Sequence, residues 1–134
     1  MTLIDTNIWI DLIEQDPKWS DWSLAQIRRV KAQGMIAINP IIYAELVPVY
    51  DSQDALLNFA KLSGVTYMPI SEDCAYLAAR AFEAYRQRGG KKSNVLADFF
   101  IGAQAQSEGW TLLTRDAARY KTYFPKLKLI APEK

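Results

Sequence analysis

Apolar positions fall into two kinds of run along this chain. Short unbroken runs predict strands: Thr2-Leu3-Ile4, Met35-Ile36-Ala37-Ile38, Val65-Thr66-Tyr67-Met68, Thr111-Leu112-Leu113-Thr114 and, more weakly, Lys128-Leu129-Ile130. Between them lie stretches with helical spacing and legible ends. Asp5-Thr6-Asn7 supplies capping side chains ahead of an apolar segment at 8–13. Leu24, Ile27 and Val30 recur at three-residue spacing until Gly34, which suits the position after a helix end. Asn39-Pro40 places an N-cap before a proline at the first helical position, opening a helix that runs to Tyr50 and is kinked by Pro48. Ser52 caps a further helix that ends near Gly64. Ser71-Glu72-Asp73 opens a long amphipathic helix striped by Cys74, Leu77, Ala78, Ala81, Phe82 and Tyr85, and Gly89-Gly90 stops it. Residues 94–107 are apolar on nearly every face, the pattern of a buried helix. Strands alternating with helices predict an α/β fold: a parallel sheet of four or five strands covered on both faces, with right-handed crossovers and ligands beyond the carboxyl ends of the strands.

Composition narrows what such a fold does. With 134 residues, half of them hydrophobic, and a net charge of +1, the chain fits one folded domain and is neither disordered nor membrane-spanning. One cysteine, Cys74, allows no internal disulfide, and the start of the chain has no secretory pattern, so a cytoplasmic protein is expected. Histidine is absent, which removes imidazole acid–base catalysis, Ser-His and Cys-His nucleophile pairs and His-containing zinc sites. Enzymatic chemistry here has to be carried by carboxylates.

Four carboxylates stand out. Asp5 follows the first strand and Asp116 lies just past the fourth, both on the sheet edge where sites form, although each alone reads as well as a helix cap. Glu45 and Asp98 sit inside strongly apolar helical stretches, where a charge needs a partner, and no basic residue lies three or four positions from Asp98. A bound cation would meet that need. Oxygen-only ligands suit Mg²⁺ or Mn²⁺.

Asp5-Thr6-Asn7, Tyr43-Ala44-Glu45-Leu46, Ala97-Asp98-Phe99-Phe100-Ile101-Gly102-Ala103 and Leu113-Thr114-Arg115-Asp116 resemble, in order and spacing, the four acidic motifs of PIN-domain ribonucleases. The resemblance is closest to VapC-type toxins of type II toxin–antitoxin modules and covers essentially the whole chain. It implies a three-layer α/β/α sandwich in which Asp5, Glu45, Asp98 and Asp116 meet in one acidic pocket that binds Mg²⁺ or Mn²⁺. Asp5 and Asp98 then match the principal metal ligands, Asp116 a ligand directly or through water, and Glu45 completes the site. Thr6 and Thr114 match hydroxyls that support the carboxylates; read without the resemblance they are a cap and a strand end. Gln104 departs from the pattern, because related sequences often carry histidine there. The implied activity is metal-dependent endoribonucleolytic hydrolysis, in which the metal polarises the phosphodiester and acidifies a water, with Asp116 or Glu45 orienting it.

RNA binding normally appears as excess positive charge. Setting aside the four pocket acids leaves 16 basic against 11 acidic residues, or +5 for the remaining surface. Arg86, Arg88, Lys91 and Lys92, just before the helix that carries Asp98, and Arg115 beside Asp116 are the candidate phosphate contacts; a solvated helix end explains the first four equally well. Trp9, Trp19 and Trp22 crowd the first 22 residues. Core packing is their default role. The resemblance favours a groove for an antitoxin helix, and so implies a VapB-type antitoxin partner, assembly with it, and a homodimer. Three competing readings remain. A haloacid-dehalogenase-like phosphatase needs a second Asp where Asn7 stands, and a receiver domain needs an Asp where Met68-Pro69-Ile70 stands. A non-catalytic PIN-like RNA-binding module would be marked by loss of pocket carboxylates, and all four are present.

Overall fold

The structure is a computed structural model and describes residues 1–91 and 95–132. The described residues form five strands and seven α-helices: β1 (Thr2–Ile4), α1 (Thr6–Ile13), α2 (Ser20–Gln33), β2 (Ile36–Ile38), α3 (Pro40–Leu46), α4 (Gln53–Ser63), β3 (Val65–Tyr67), α5 (Glu72–Gln87), α6 (Leu96–Glu108), β4 (Thr111–Leu113), α7 (Ala118–Tyr123) and β5 (Lys128–Ile130). The strands make one all-parallel sheet in the order β3-β2-β1-β4-β5, within the expected α/β/α architecture. Burial follows that order. β1 and β2 are buried at every residue, whereas the edge strands β3 and β5 have exposed positions, so unbroken apolar runs mark the centre of the sheet.

Local chemistry sets the element ends. Asn39 Oδ1 accepts from the Ile42 amide at 2.9 Å and caps α3, while Ser52 and Ser71 cap α4 and α5 in the same way. Gly64 and Gly109 end α4 and α6 in left-handed backbone and turn the chain into β3 and β4. Gly34 ends α2 in extended backbone instead, so its freedom is not used.

Two segments differ from the sequence expectation. The helix expected to reach Tyr50 ends at Leu46, and Pro48 sits in a 3₁₀ turn, Val47–Val49, because a proline cannot donate the next helical hydrogen bond. The helix α7 has no counterpart in the sequence reading. It is six residues long and lacks a side-chain cap, too short for a periodic pattern to declare it.

The sheet order positions the site. From β1 the chain fills one side of the sheet with β2 and β3, then returns to fill the other with β4 and β5. Connections leaving β1 and β4 therefore diverge and open a crevice at their carboxyl ends. Backbone hydrogen bonds continue the sheet to the edge of that crevice: Asp5 N donates to Leu113 O at 2.9 Å and Thr114 N to Ile130 O at 3.0 Å. Below it, α5 packs along α6. Phe82 and Tyr85 of α5, Phe99 of α6, and Tyr123 and Phe124 at the end of α7 form a chain of aromatic contacts with centroids 5.4–5.9 Å apart. Among the described residues no helix is long and apolar enough to cross a membrane.

Candidate active site

Asp5, Thr6, Asn7, Ile10, Glu45, Asp98, Asp116 and Tyr120 line one cavity of about 250 Å³ at the switch point of the sheet. The sequence places these carboxylates on four separate segments, and the fold brings all four to this pocket. Asp5 is the innermost, 5% exposed. It caps α1, its Oδ1 accepting from the Thr6 amide at 2.7 Å, and its Oδ2 accepts from Thr114 Oγ1 at 2.8 Å and from the Tyr120 hydroxyl at 3.1 Å. Cap and pocket residue are thus the same side chain. Burial pushes the Asp5 carboxyl up to about 6, with the charge of Asp98 adding to the rise and the three hydrogen bonds opposing it.

Both threonines named from the sequence touch the carboxylates. Thr6 Oγ1 donates to Glu45 Oε1 at 2.7 Å, tying α1 to α3. Thr114 Oγ1, besides donating to Asp5, accepts from the Asp116 amide at 3.1 Å and from Asn7 Nδ2 at 3.3 Å. Glu45 and Asp116 are exposed at the mouth of the pocket. The apolar stretch around Glu45 therefore buries the opposite face of α3, through Ile42 and Leu46, and leaves the carboxylate at the surface.

Asp98 is half-buried in the first turn of α6 and does have a basic partner, from an element absent from the sequence reading: Arg119 of α7 donates through Nη1 to Asp98 Oδ2. Burial raises the Asp98 carboxyl above its ordinary value, the Arg119 charge opposes the rise, and the charges of Glu45 and Asp116 add to it. Tyr120, the next residue of α7, is 2% exposed and has its phenol raised well above the usual value, first by burial and then by Asp5, so it stays a donor. In the sequence, only their positions three and four residues after Asp116 point to them.

The seating of Tyr120 depends on Gly102. A Cβ on Gly102 would lie 2.6 Å from the Phe124 ring and 3.0 Å from the Tyr120 ring. Gly102→Ala gains about 1 kcal/mol of helix propensity, but forcing two buried rings apart costs about 1–3 kcal/mol. The variant is expected to lower the urea unfolding midpoint, and an unchanged or raised midpoint would show that the rings yield freely.

A second polar network holds the walls of the pocket. Asn39, which caps α3, donates through Nδ2 to Gln104 Oε1 on α6 at 2.9 Å, and Gln104 Nε2 donates to Pro69 O at 2.9 Å. Both side chains are fully buried. Gln104 thereby fixes the helix of Asp98 against the helix of Glu45.

The basic candidates separate. Arg86, Arg88 and Lys91 are exposed at and beyond the end of α5. Lys92 lies outside the described residues. Arg115 is directed inward: its Nε is 2.8 Å from Oδ2 of the buried Asp11, which also accepts from Ser23 Oγ, and its guanidinium lies 5.2 Å from the Trp19 ring centroid. Its charge serves to anchor the loop that carries Asp116. Trp9 is a core residue that donates to Ile4 O, whereas Trp19 and Trp22 are partly exposed and meet edge to face. A larger hollow of about 360 Å³, lined by Ile38, Tyr43, Gln53, Leu57, Ala60, Val65 and Tyr67, holds no carboxylate.

The pocket's donor set is oxygen only, and its innermost carboxylate carries a charge that three hydrogen bonds do not fully compensate. That chemistry fits a hard divalent cation. Although the four carboxylates line one pocket, no three acidic side chains among the described residues stand close enough together to grip a metal ion as they are, and one oxygen of Asp98 is taken by Arg119.

An all-parallel sheet with four carboxylates lining a crevice at its switch point places the chain among doubly wound α/β domains with an acidic pocket. Residues 2–125 match the PIN domain, and the chain belongs to that family. No curated protein sequence matches it. Among solved structures, it is similar to a chain of VapBC2 from Rickettsia felis bound to a DNA fragment from its promoter, with 23% identity, 98% of each chain covered and a TM-score of 0.74. It is also similar to a chain of VapBC-1 from nontypeable Haemophilus influenzae, with 19% identity, 97% of this chain and 96% of the other covered, and a TM-score of 0.72. A toxin–antitoxin complex from Klebsiella pneumoniae gives 24% identity, coverage of 100% and 99%, and a TM-score of 0.63.

Proposed function

We propose that this PIN-domain chain is a Mg²⁺- or Mn²⁺-dependent endoribonuclease and the toxin of a type II toxin–antitoxin module acting in the cytoplasm. The observation that carries the reading is the convergence of Asp5, Glu45, Asp98 and Asp116 on one pocket, with Asp5 buried and incompletely neutralised. The likeness to chains of toxin–antitoxin complexes supports the biological role.

Asp5 and Asp98 would hold the metal, with Asp116 and Glu45 completing its surroundings directly or through water. When bound, a divalent cation supplies Lewis-acid polarisation of the phosphodiester and lowers the pKa of water. The chain's own contribution is orientation. Thr114 and Tyr120 fix the Asp5 carboxylate from two directions, and Thr6 fixes one oxygen of Glu45. The other Glu45 oxygen and the Asp116 carboxylate, both exposed at the mouth, would orient an attacking water. Arg86, Arg88 and Lys91, with Lys92 adjoining them in sequence, would meet RNA phosphates and offset the repulsion of the acidic pocket. The partner is a VapB-type antitoxin whose helix covers the partly exposed Trp19 and Trp22, and the toxin itself forms a homodimer.

The test is incubation of the purified chain with tRNA and single-stranded RNA in Mg²⁺ or in EDTA. Cleavage that requires the divalent ion is expected. Cleavage that persists in EDTA would overturn the metal assignment, and a failure to cut any RNA under either condition would overturn the nuclease reading.

A further inference from the structure

The contact between Arg119 and Asp98 joins the carboxylate expected to hold a cation to a cation that the chain already carries. Both side chains are about equally exposed, 27% for Arg119 and 30% for Asp98, so the pair lies at the wall of the pocket rather than deep beneath it. It differs from the Asp11–Arg115 pair, which is anchored on a carboxylate only 2% exposed. In the same pose its guanidinium lies 5.7 Å from the centroid of the Tyr85 ring, a contact that does not depend on the Asp98 charge. Its neighbour Tyr120 is locked on Asp5. Tyr120 thus ties α7 to Asp5 independently of the partly exposed Arg119 side chain.

We propose that Arg119 is an intrachain counter-ion that competes with a divalent cation for Asp98, so that metal binding displaces the guanidinium from that carboxylate. The inference rests on the metal reading of the pocket and concerns how that metal gains access to it. A guanidinium and a divalent cation on the same carboxylate oxygen repel each other, and the two arrangements exclude one another. The arginine neutralises the half-buried Asp98 when no metal is bound, which keeps the pocket assembled, and it raises the metal concentration needed to fill the site. The opposite possibility is that Arg119 holds Asp98 oriented for the metal through its other oxygen. The two make opposite predictions: removing a competitor tightens metal binding, and removing an orienting residue weakens it.

The experiment is calorimetric titration of Mn²⁺ alone into wild type, Arg119→Ala, Arg119→Gln and Asp98→Asn, with melting temperatures measured in EDTA and in Mn²⁺. If the arginine-paired form holds about nine-tenths of the metal-free population, Arg119→Ala binds Mn²⁺ roughly tenfold more tightly than wild type. Arg119→Gln keeps the side-chain stem without the charge and is expected to follow it. Both are expected to melt lower than wild type in EDTA and to gain more than wild type from Mn²⁺. Equal or weaker Mn²⁺ binding by both Arg119 variants overturns the competition. Wild type and Asp98→Asn binding Mn²⁺ equally, or neither binding it, overturns the metal reading instead, so the two failures are distinguishable.

Discussion

Replacing Asp5 with asparagine is expected to lower metal-dependent RNA cleavage by at least about a hundredfold to a thousandfold while leaving the chain folded. The loss follows from charge. Asparagine keeps an oxygen to accept from the Thr6 amide and so still caps α1, but its amide group cannot accept from Thr114 Oγ1 or Tyr120, the two donors that fix Asp5 Oδ2. The pocket loses its one deeply buried negative charge and the hold on its geometry together. Folding survives because the same substitution removes an ionised group from an environment that disfavours it. RNA cleavage assays read alongside thermal denaturation separate the two effects. Full activity in Asp5→Asn would remove Asp5 from the chemistry, and loss of activity through unfolding would show as an absent transition.

The second large effect is on stability as a function of pH. Asp5 titrates near 6 in the fold against 3.8 for an unperturbed carboxyl, so the native state binds the more protons between those values. Stability from this group is therefore fully present below about pH 4 and is lost as pH rises through 6. The shift corresponds to about 3 kcal/mol at neutral pH. Urea unfolding of wild type in EDTA from pH 4 to 8 is expected to show that decline relative to Asp5→Asn, whose other titrating groups are the same. The decline is also expected to shrink when Mn²⁺ is added, because a bound cation favours the ionised carboxylate. Parallel pH profiles for the two proteins would contradict the burial of a charge at Asp5.

Most of the architecture is written locally in this chain. The strands are unbroken apolar runs because the sheet is covered on both faces, and caps such as Asn39, Ser52 and Ser71 announce their helices within three residues. The four carboxylates were legible because they lie at strand ends or interrupt apolar helices. What was not legible depends on contacts between distant segments. The helix α7 forms because Tyr120 and Phe124 find room against Gly102, which no local pattern records. For the same reason no residue at helical spacing marks the partner of Asp98: Arg119 is 21 residues away. Arg115 looked like a surface cation beside Asp116, and only the fold shows Asp11 waiting beneath it. Gln104 and Asn39 are separated by 65 residues, and their hydrogen bond turns a departure from the family pattern into a brace between α3 and α6.

In the proposed reaction carboxylates and a cation, without histidine, direct water onto an RNA phosphodiester. The most direct measurement is the chemistry of the cut ends produced by the purified chain in Mg²⁺, with Asp98→Asn as the control. Water attack predicts a 5′-phosphate and a 3′-hydroxyl, formed only with the divalent ion and lost in Asp98→Asn. A 2′,3′-cyclic phosphate, or ends of any kind formed equally in EDTA, would contradict it.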